Sequence, residues 1–301
     1  MMFNLNNIIS FEKWLRFKRN IASYKRFPII PVFIILCFLT ISIFGEALAP
    51  HPPNKINLRA RFTPPFWQDG GSIRYPLGTD QLGRDMVSRL LVGARVSCIV
   101  ALLSLTFGGM IGTALGIISG YVGGKIDVIV MRVADATLSF PVILLAVLLA
   151  IALGPSLKNV VIALSIILWA RYARVIRGEV LSLKELDFVT MSKIAGASKL
   201  KIMYRHIFPN IRSTFLVLLT LQVGWCILLE ASLSFLGAGI PPPTPVWGSM
   251  IAKGRGYITL AWWVPLFPGL AVAICCLSFN MLGDWLREVL DPRLRQIEGG
   301  G

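Results

Sequence analysis

Apolar residues in this chain gather into long runs parted by polar islands. The runs cover 29–49, about 94–119, two stretches within 137–170, 214–236 and 262–282. Most approach the roughly 20 apolar residues that a helix needs to cross a bilayer. Short of a closed barrel, only helices satisfy every backbone group in lipid. The pattern predicts an all-α protein integral to the membrane, with six spans. Within 137–170, Gly154-Pro155-Ser156-Leu157-Lys158-Asn159 reads as a turn that separates spans three and four. The stretch from Tyr121 to Asp135 reads as a polar connection, in which Lys125 and Arg132 pair with Asp127 and Asp135.

The polar islands orient the spans. Residues 1–28 form a basic tail with Lys13, Arg16, Lys18, Arg19, Lys25 and Arg26 against Glu12. Nine basic residues lie from Arg171 to Arg212, against Glu179, Glu185 and Asp187. Cytoplasmic loops carry such an excess of Lys and Arg. This places the tail and 178–212 inside, 50–92 and 237–261 outside, and the tail 286–301 inside. The core of five helices then covers 93–285, after a first span at 29–49. Seven basic residues from Lys55 to Arg95 run against the simple form of that rule, and Asp69, Asp80 and Asp85 offset them only partly. Gly83-Arg84-Asp85 and Ser88-Arg89 are expected on an interfacial helix. Ala47-Leu48-Ala49 resembles a signal-peptidase site, but a leader of 49 residues exceeds the usual length of roughly 15–30, so the first span is read as uncleaved.

Two features stand out within the spans. Gly108, Gly112, Gly116 and Gly120 recur every fourth residue along one helix face, which lets a neighbouring helix approach closely. Gln222 and Glu230 lie in span five, and an acid in a span marks a candidate gating or pathway group. Glu230 is expected near the outer end, where water reaches it.

Between the apolar runs lies a basic amphipathic island, 187–210. Phe188, Met191, Ile194 and Ala195 recur at helical spacing, followed by Ile202, Met203 and Ile207. Lys193, Lys199, Lys201 and Arg205 occupy the positions between. One short helix is expected to end at Gly196 and a second to start at Ser198, a good N-cap. Pro209 is expected to close the second helix. Such a pair fits either a coupling element or a surface helix pair at the lipid headgroups.

Composition narrows the function classes. Of 301 residues, 55% are hydrophobic, and the mean hydropathy of +0.71 is too apolar for a soluble domain. The net charge of +15 would suggest nucleic acid in a soluble protein. Here it fits cytoplasmic loops and anionic lipid. Cys37, Cys98, Cys226, Cys275 and Cys276 lie in apolar stretches without metal or redox spacing. His51 and His206 are read as loop residues without carboxylate neighbours, so neither a metal site nor a catalytic triad is expected.

Residues 187–210 resemble the EAA loop of importer-type ABC permeases. Gly196 and Pro209 match its spacing, while Thr190, Met191 and Ser192 stand where Glu-Ala-Ala would be. LEASLSFLGAGIPPPTPVWG, WWVPLFPGLA, FNMLGDWLREVLDPRLR and GTDQLGRDMVSRLLVGAR resemble blocks of the second permease subunit of dipeptide, oligopeptide and nickel importers. The resemblance implies a type I ABC importer permease fold in the bacterial cytoplasmic membrane. It also implies that the loop, through Thr190, Met191, Ser192, Gly196, Ala197, Ser198, Arg205 and Pro209, docks into an ATPase groove. The implied partners are a homologous second permease, two ATP-binding subunits and an extracytoplasmic solute-binding protein. No cofactor is expected on this chain, and ATP and Mg would sit on the ATPase subunits. Short peptides are the favoured solute, with nickel or another small solute as the alternative. An ATPase-independent channel or secondary transporter, or a membrane scaffold, are readings from other classes.

Overall fold

Helix α1 (Ile29–Leu48) opens the described part of the chain, residues 27–290, in the computed structural model. The expected tails fall mainly outside those residues. The helices that follow are α2 (Met86–Val122), α3 (Gly124–Ser139), α4 (Val142–Leu153), α5 (Leu157–Leu183), α6 (Asp187–Ile194) and α7 (Lys199–Ile202). A five-residue π-helical turn, Met203–Ile207, joins α7 to α8 (Phe208–Phe235), and α9 (Trp247–Arg255) and α10 (Trp263–Leu290) complete the order. Among the described residues five helices are long and apolar enough to cross a membrane. A sixth crossing arises if α3 and α4, bent by 96°, form one span.

That bent pair replaces the expected polar connection. Gly123 (φ 70°) and Gly124 (φ 60°) adopt left-handed backbone, which ends α2 and restarts the chain as α3. The acids of this stretch do not pair with Lys125 and Arg132. Asp127 instead receives two hydrogen bonds of 2.6 Å from Arg177 of α5, and Asp135 pairs with Arg174. Arg177 meets Asp127 with two nitrogens, a bidentate charge-assisted pair. Helix α4, with 12 residues, is about 18 Å long and cannot cross a hydrocarbon core of about 30 Å unaided.

Two other boundaries differ from the expectation. Helix α2 begins at Met86 and runs unbroken for 37 residues, so Ser88 and Arg89 belong to its first turns and not to a separate interfacial helix. Asp85 caps it by accepting from Ser88 N at 3.0 Å. Those turns are buried because α9, the start of α10 and the loop before α2 fold over them. The Trp247 indole donates to Leu90 O and the Trp263 indole to Thr79 O, each at 3.0 Å. Pro209 does not end its helix either. The wider π turn places Phe208 N on Met203 O, and the missing proline donor is accommodated within one continuous helix from Lys199 to Phe235.

Helix α5 lies along the glycine face of α2. A Cβ on Gly108 would stand 2.8 Å from Leu168 Cβ, on Gly116 2.8 Å from Ala173 O and on Gly120 2.9 Å from Val180 Cβ. At Gly112 it would collide with the Trp169 carbonyl. Gly112→Leu is therefore expected to separate the pair, at a cost above the ~1–3 kcal/mol typical of overpacking, because the obstacle is backbone. The check is thermal unfolding of the purified protein. A midpoint equal to wild type would exclude close packing on this face.

Candidate functional site

The α6–α7 segment is built from a helix ending of defined geometry. Gly196 (φ 77°) follows α6 in left-handed backbone, its N–H donates to Lys193 O at 3.0 Å, and Ala197 N donates to Ser192 O at 3.0 Å. These two bonds form a Schellman ending, which glycine favours because a Cβ is disfavoured at positive φ. Ser198 then caps α7 by accepting from Lys201 N. The joint between the two short helices thus satisfies the carbonyls of Ser192 and Lys193 and the N–H of Lys201.

The segment has a small core of its own. Val189, Ile202, Ile207 and Ile211 are buried against Ile117 of α2 and Ile176 and Val180 of α5. The expected apolar residues of the first short helix face outward. Met191, Ile194, Leu200 and Tyr204 are 67%, 82%, 76% and 79% exposed, and Phe188 is also exposed. One valine suffices to seat α6, because only one of its faces meets the α2–α5 pair, and the Phe188–Met191–Ile194 stripe points away. Lys193, Lys199, Lys201 and Arg205 are exposed beside it. The Lys193 ammonium sits 5.7 Å from the Tyr121 ring centroid.

The residues singled out in the loop fall as follows. Thr190, Gly196, Ser198, Arg205 and Pro209 are exposed, and Ala197 is half-buried. Ser192 donates to Phe188 O and lies 3.3 Å from His206 Nε2. His206 is therefore a helical residue facing α6, not a loop residue. His51 also has a carboxylate neighbour, Asp85 at 3.4 Å. Among the described residues no three potential metal-ligating side chains gather.

Glu230 departs from the expectation of water access. It is completely buried, accepting from Ser234 Oγ at 2.7 Å and from Ser97 Oγ of α2 at 3.3 Å. Helix α9 folds back over this end of α8, with Gly248 against the Ala231 backbone, and excludes solvent. Gln222 is buried in the same helix. Neither lies at the α6–α7 surface: Gln222 is midway along α8 and Glu230 is near its far end.

Sequence reasoning passed over an ionic knot at the outer end. Asp80 accepts from the backbone of Leu82 and Arg84 and from the Arg84 side chain at 2.7 Å, with Arg89 Nε at 3.8 Å. Arg89 donates to Pro53 O and Asn54 Oδ1. Lys253 of α9 lies close by, and its amine is pushed below the usual lysine range by burial and then by Arg84 and Arg89. The Asp80–Arg84 spacing of four, followed by Arg89, was the visible signal.

Residues 112–296 match the family of binding-protein-dependent transport system inner membrane components. The chain belongs to this family. The permease is 40% identical over 289 residues, 95% of each chain, to the dipeptide transport system permease protein DppC of Haemophilus influenzae. It is 41% identical to DppC of Escherichia coli K12 over 285 residues, covering 95% of this chain and 93% of that one. A putative peptide transport system permease protein of Brucella suis is 44% identical over 268 residues, 88% of each. The permease is thus an all-helical, multi-pass inner-membrane subunit of type I ABC importer fold.

The buried carboxyl of the permease yields a test. Glu230→Gln keeps an acceptor for Ser97 and should melt near wild type. Glu230→Leu leaves that hydroxyl buried without one and should lose ~1–3 kcal/mol of stability. Unfolding midpoints of the two purified variants decide it, and equal midpoints would deny the carboxyl any part in joining α2 to α8.

Proposed function

We propose that this permease is one of two homologous membrane subunits of an ATP-driven importer that carries short peptides across the bacterial cytoplasmic membrane. Two ATP-binding subunits would hold ATP and Mg and hydrolyse it, and an extracytoplasmic binding protein would deliver the peptide. Loops 50–92 and 237–261 face outward in this reading, and 178–212 faces the ATPases.

The observation that carries the proposal is the α6–α7 surface. An exposed apolar patch of Met191, Ile194, Leu200 and Tyr204 is mounted on a buried core shared with α2 and α5. Large exposed apolar side chains on a firmly seated element suit an interface with a partner protein. Force applied there acts through Val189, Ile202 and Ile207 on two spanning helices, which supports alternating access by rigid-body motion. The peptide assignment is supported by the names of three relatives, two dipeptide permeases and one peptide permease.

Because both side chains are exposed, Met191→Asp with Ile194→Asp should leave insertion and melting unchanged. Burying their carboxylates in an apolar joint is costly, so peptide uptake and peptide-stimulated ATPase activity of the reconstituted complex should fall at least tenfold. Full activity would remove the docking role. The substrate is tested separately in the wild-type complex with its binding protein. A di- to oligopeptide mixture should stimulate ATP hydrolysis and chelated nickel should not, and stimulation by nickel alone would reverse the assignment.

A further inference from the structure

The loop between α1 and α2 contains a closed lobe, 65–76, set apart from the α6–α7 surface. Hydrogen bonds from Gln68 N to Pro65 O, Gly71 N to Gln68 O, Tyr75 N to Ser72 O and Phe66 N to Pro76 O tie its ends together. Despite this order it turns apolar side chains outward. Phe66, Trp67 and Ile73 are 56%, 51% and 87% exposed. Apolar side chains gain free energy on leaving water, so three left exposed together on an ordered lobe call for a covering phase.

The position of the lobe identifies that phase. Trp67 packs edge-to-face on Phe267 of α10, with ring centroids 6.2 Å apart, and Phe66 packs edge-to-face on Trp67 at 5.1 Å. From Trp263 to Leu282, before Asp284, α10 is predominantly apolar, and those residues span about 30 Å, the thickness of the hydrocarbon core. Phe267 lies about 6 Å along that length. The Trp67 ring is therefore level with the boundary between headgroups and acyl chains. Trp262, 5.9 Å from Phe267, extends the aromatic group at the same level, and Leu266 and Leu270 continue an exposed apolar face down the helix. Tryptophan concentrates at this depth in membrane proteins because its ring is apolar and its N–H is polar.

Charge points the same way. Lys55, Arg59, Arg61 and Arg74 are all exposed, and among the described residues none of them forms an ion pair; against these four cations the loop exposes one acid, Asp69 of the lobe. Arg74 lies within the lobe, its guanidinium 5.8 Å from the Tyr75 ring centroid. Exposed cations flanking exposed aromatics are complementary to phosphate headgroups above acyl chains.

We propose that lobe 65–76 is a membrane-surface anchor, with Phe66 and Trp67 inserted into the bilayer beside the outer end of α10 and Arg74 on lipid phosphate. The anchor would hold the outer loop at a fixed height over the bundle. It rests on α10 being a span, and not on the identity of the solute.

The test uses the assembled complex in nanodiscs of phosphatidylcholine and phosphatidylglycerol. The Trp67 contribution is the fluorescence difference between wild type and Trp67→Phe. Dibrominated lipid carrying bromine near the headgroup should quench that contribution at least twofold, and aqueous iodide should leave it almost unchanged. Phe66→Trp in the Trp67→Phe background reports the neighbouring position and should behave alike. Quenching by iodide and not by bromolipid at both positions would overturn the anchor. Should the binding protein then shield the site from iodide, the lobe is a protein-docking surface instead.

Discussion

Everything at the α6–α7 end of this molecule depends on how closely α2 and α5 approach. Four glycines at every fourth position put the α5 backbone where side chains would otherwise stand. With water excluded and no hydrophobic drive between helices in lipid, contact at this range supplies the attraction. The pair then serves as a base for its neighbours. Helix α3 is pinned to α5 by the Asp127–Arg177 and Asp135–Arg174 pairs, and the α6–α7 segment is seated where Ile117 meets Ile176 and Val180.

The two ends of the bundle are built on different principles. At the α6–α7 end a handful of aliphatic side chains seats a segment that shows most of its apolar surface outward. At the other end polar groups do the joining. Asp80, Arg84 and Arg89 form a buried knot, two indole N–H groups bond backbone carbonyls across the loops, and Glu230 bridges hydroxyls on α2 and α8. Buried polar groups tolerate few alternative arrangements, because each lost partner costs desolvation without return. The end away from α6–α7 is therefore held in register, while the α6–α7 end presents a surface suited to an external partner. Helix α2, with 37 residues, connects the two.

Much of this was legible in the residues themselves. Run length and hydropathy place five of the spans, since a bilayer demands a fixed length of apolar helix. The turn at Gly196 and the cap at Ser198 were readable because both depend on local backbone geometry, left-handed φ in one case and a side-chain acceptor in the other. The small-residue ladder was readable because a four-residue period defines one face of any helix.

What escaped the sequence was whatever depends on a second element. Phe188, Met191 and Ile194 have the spacing of a buried stripe, yet Val189 is the residue buried, because the position of α2 and α5 decides which face of α6 is covered. Glu230 has the place of a water-accessible acid near a helix end, yet α9 folds over it. Asp127 and Asp135 have basic neighbours in line, yet they bind arginines of α5, which lie about 40 to 50 residues further along. Pro209 reads as a stop, and a π turn carries the helix past it. By itself the sequence determined five of the segments that enter the membrane and the Gly196–Ser198 joint between two short helices, because solvation and backbone sterics act residue by residue. Only the tertiary structure decided which faces are hidden and which charges meet, because burial is a property of two surfaces and a single chain segment carries only one of them.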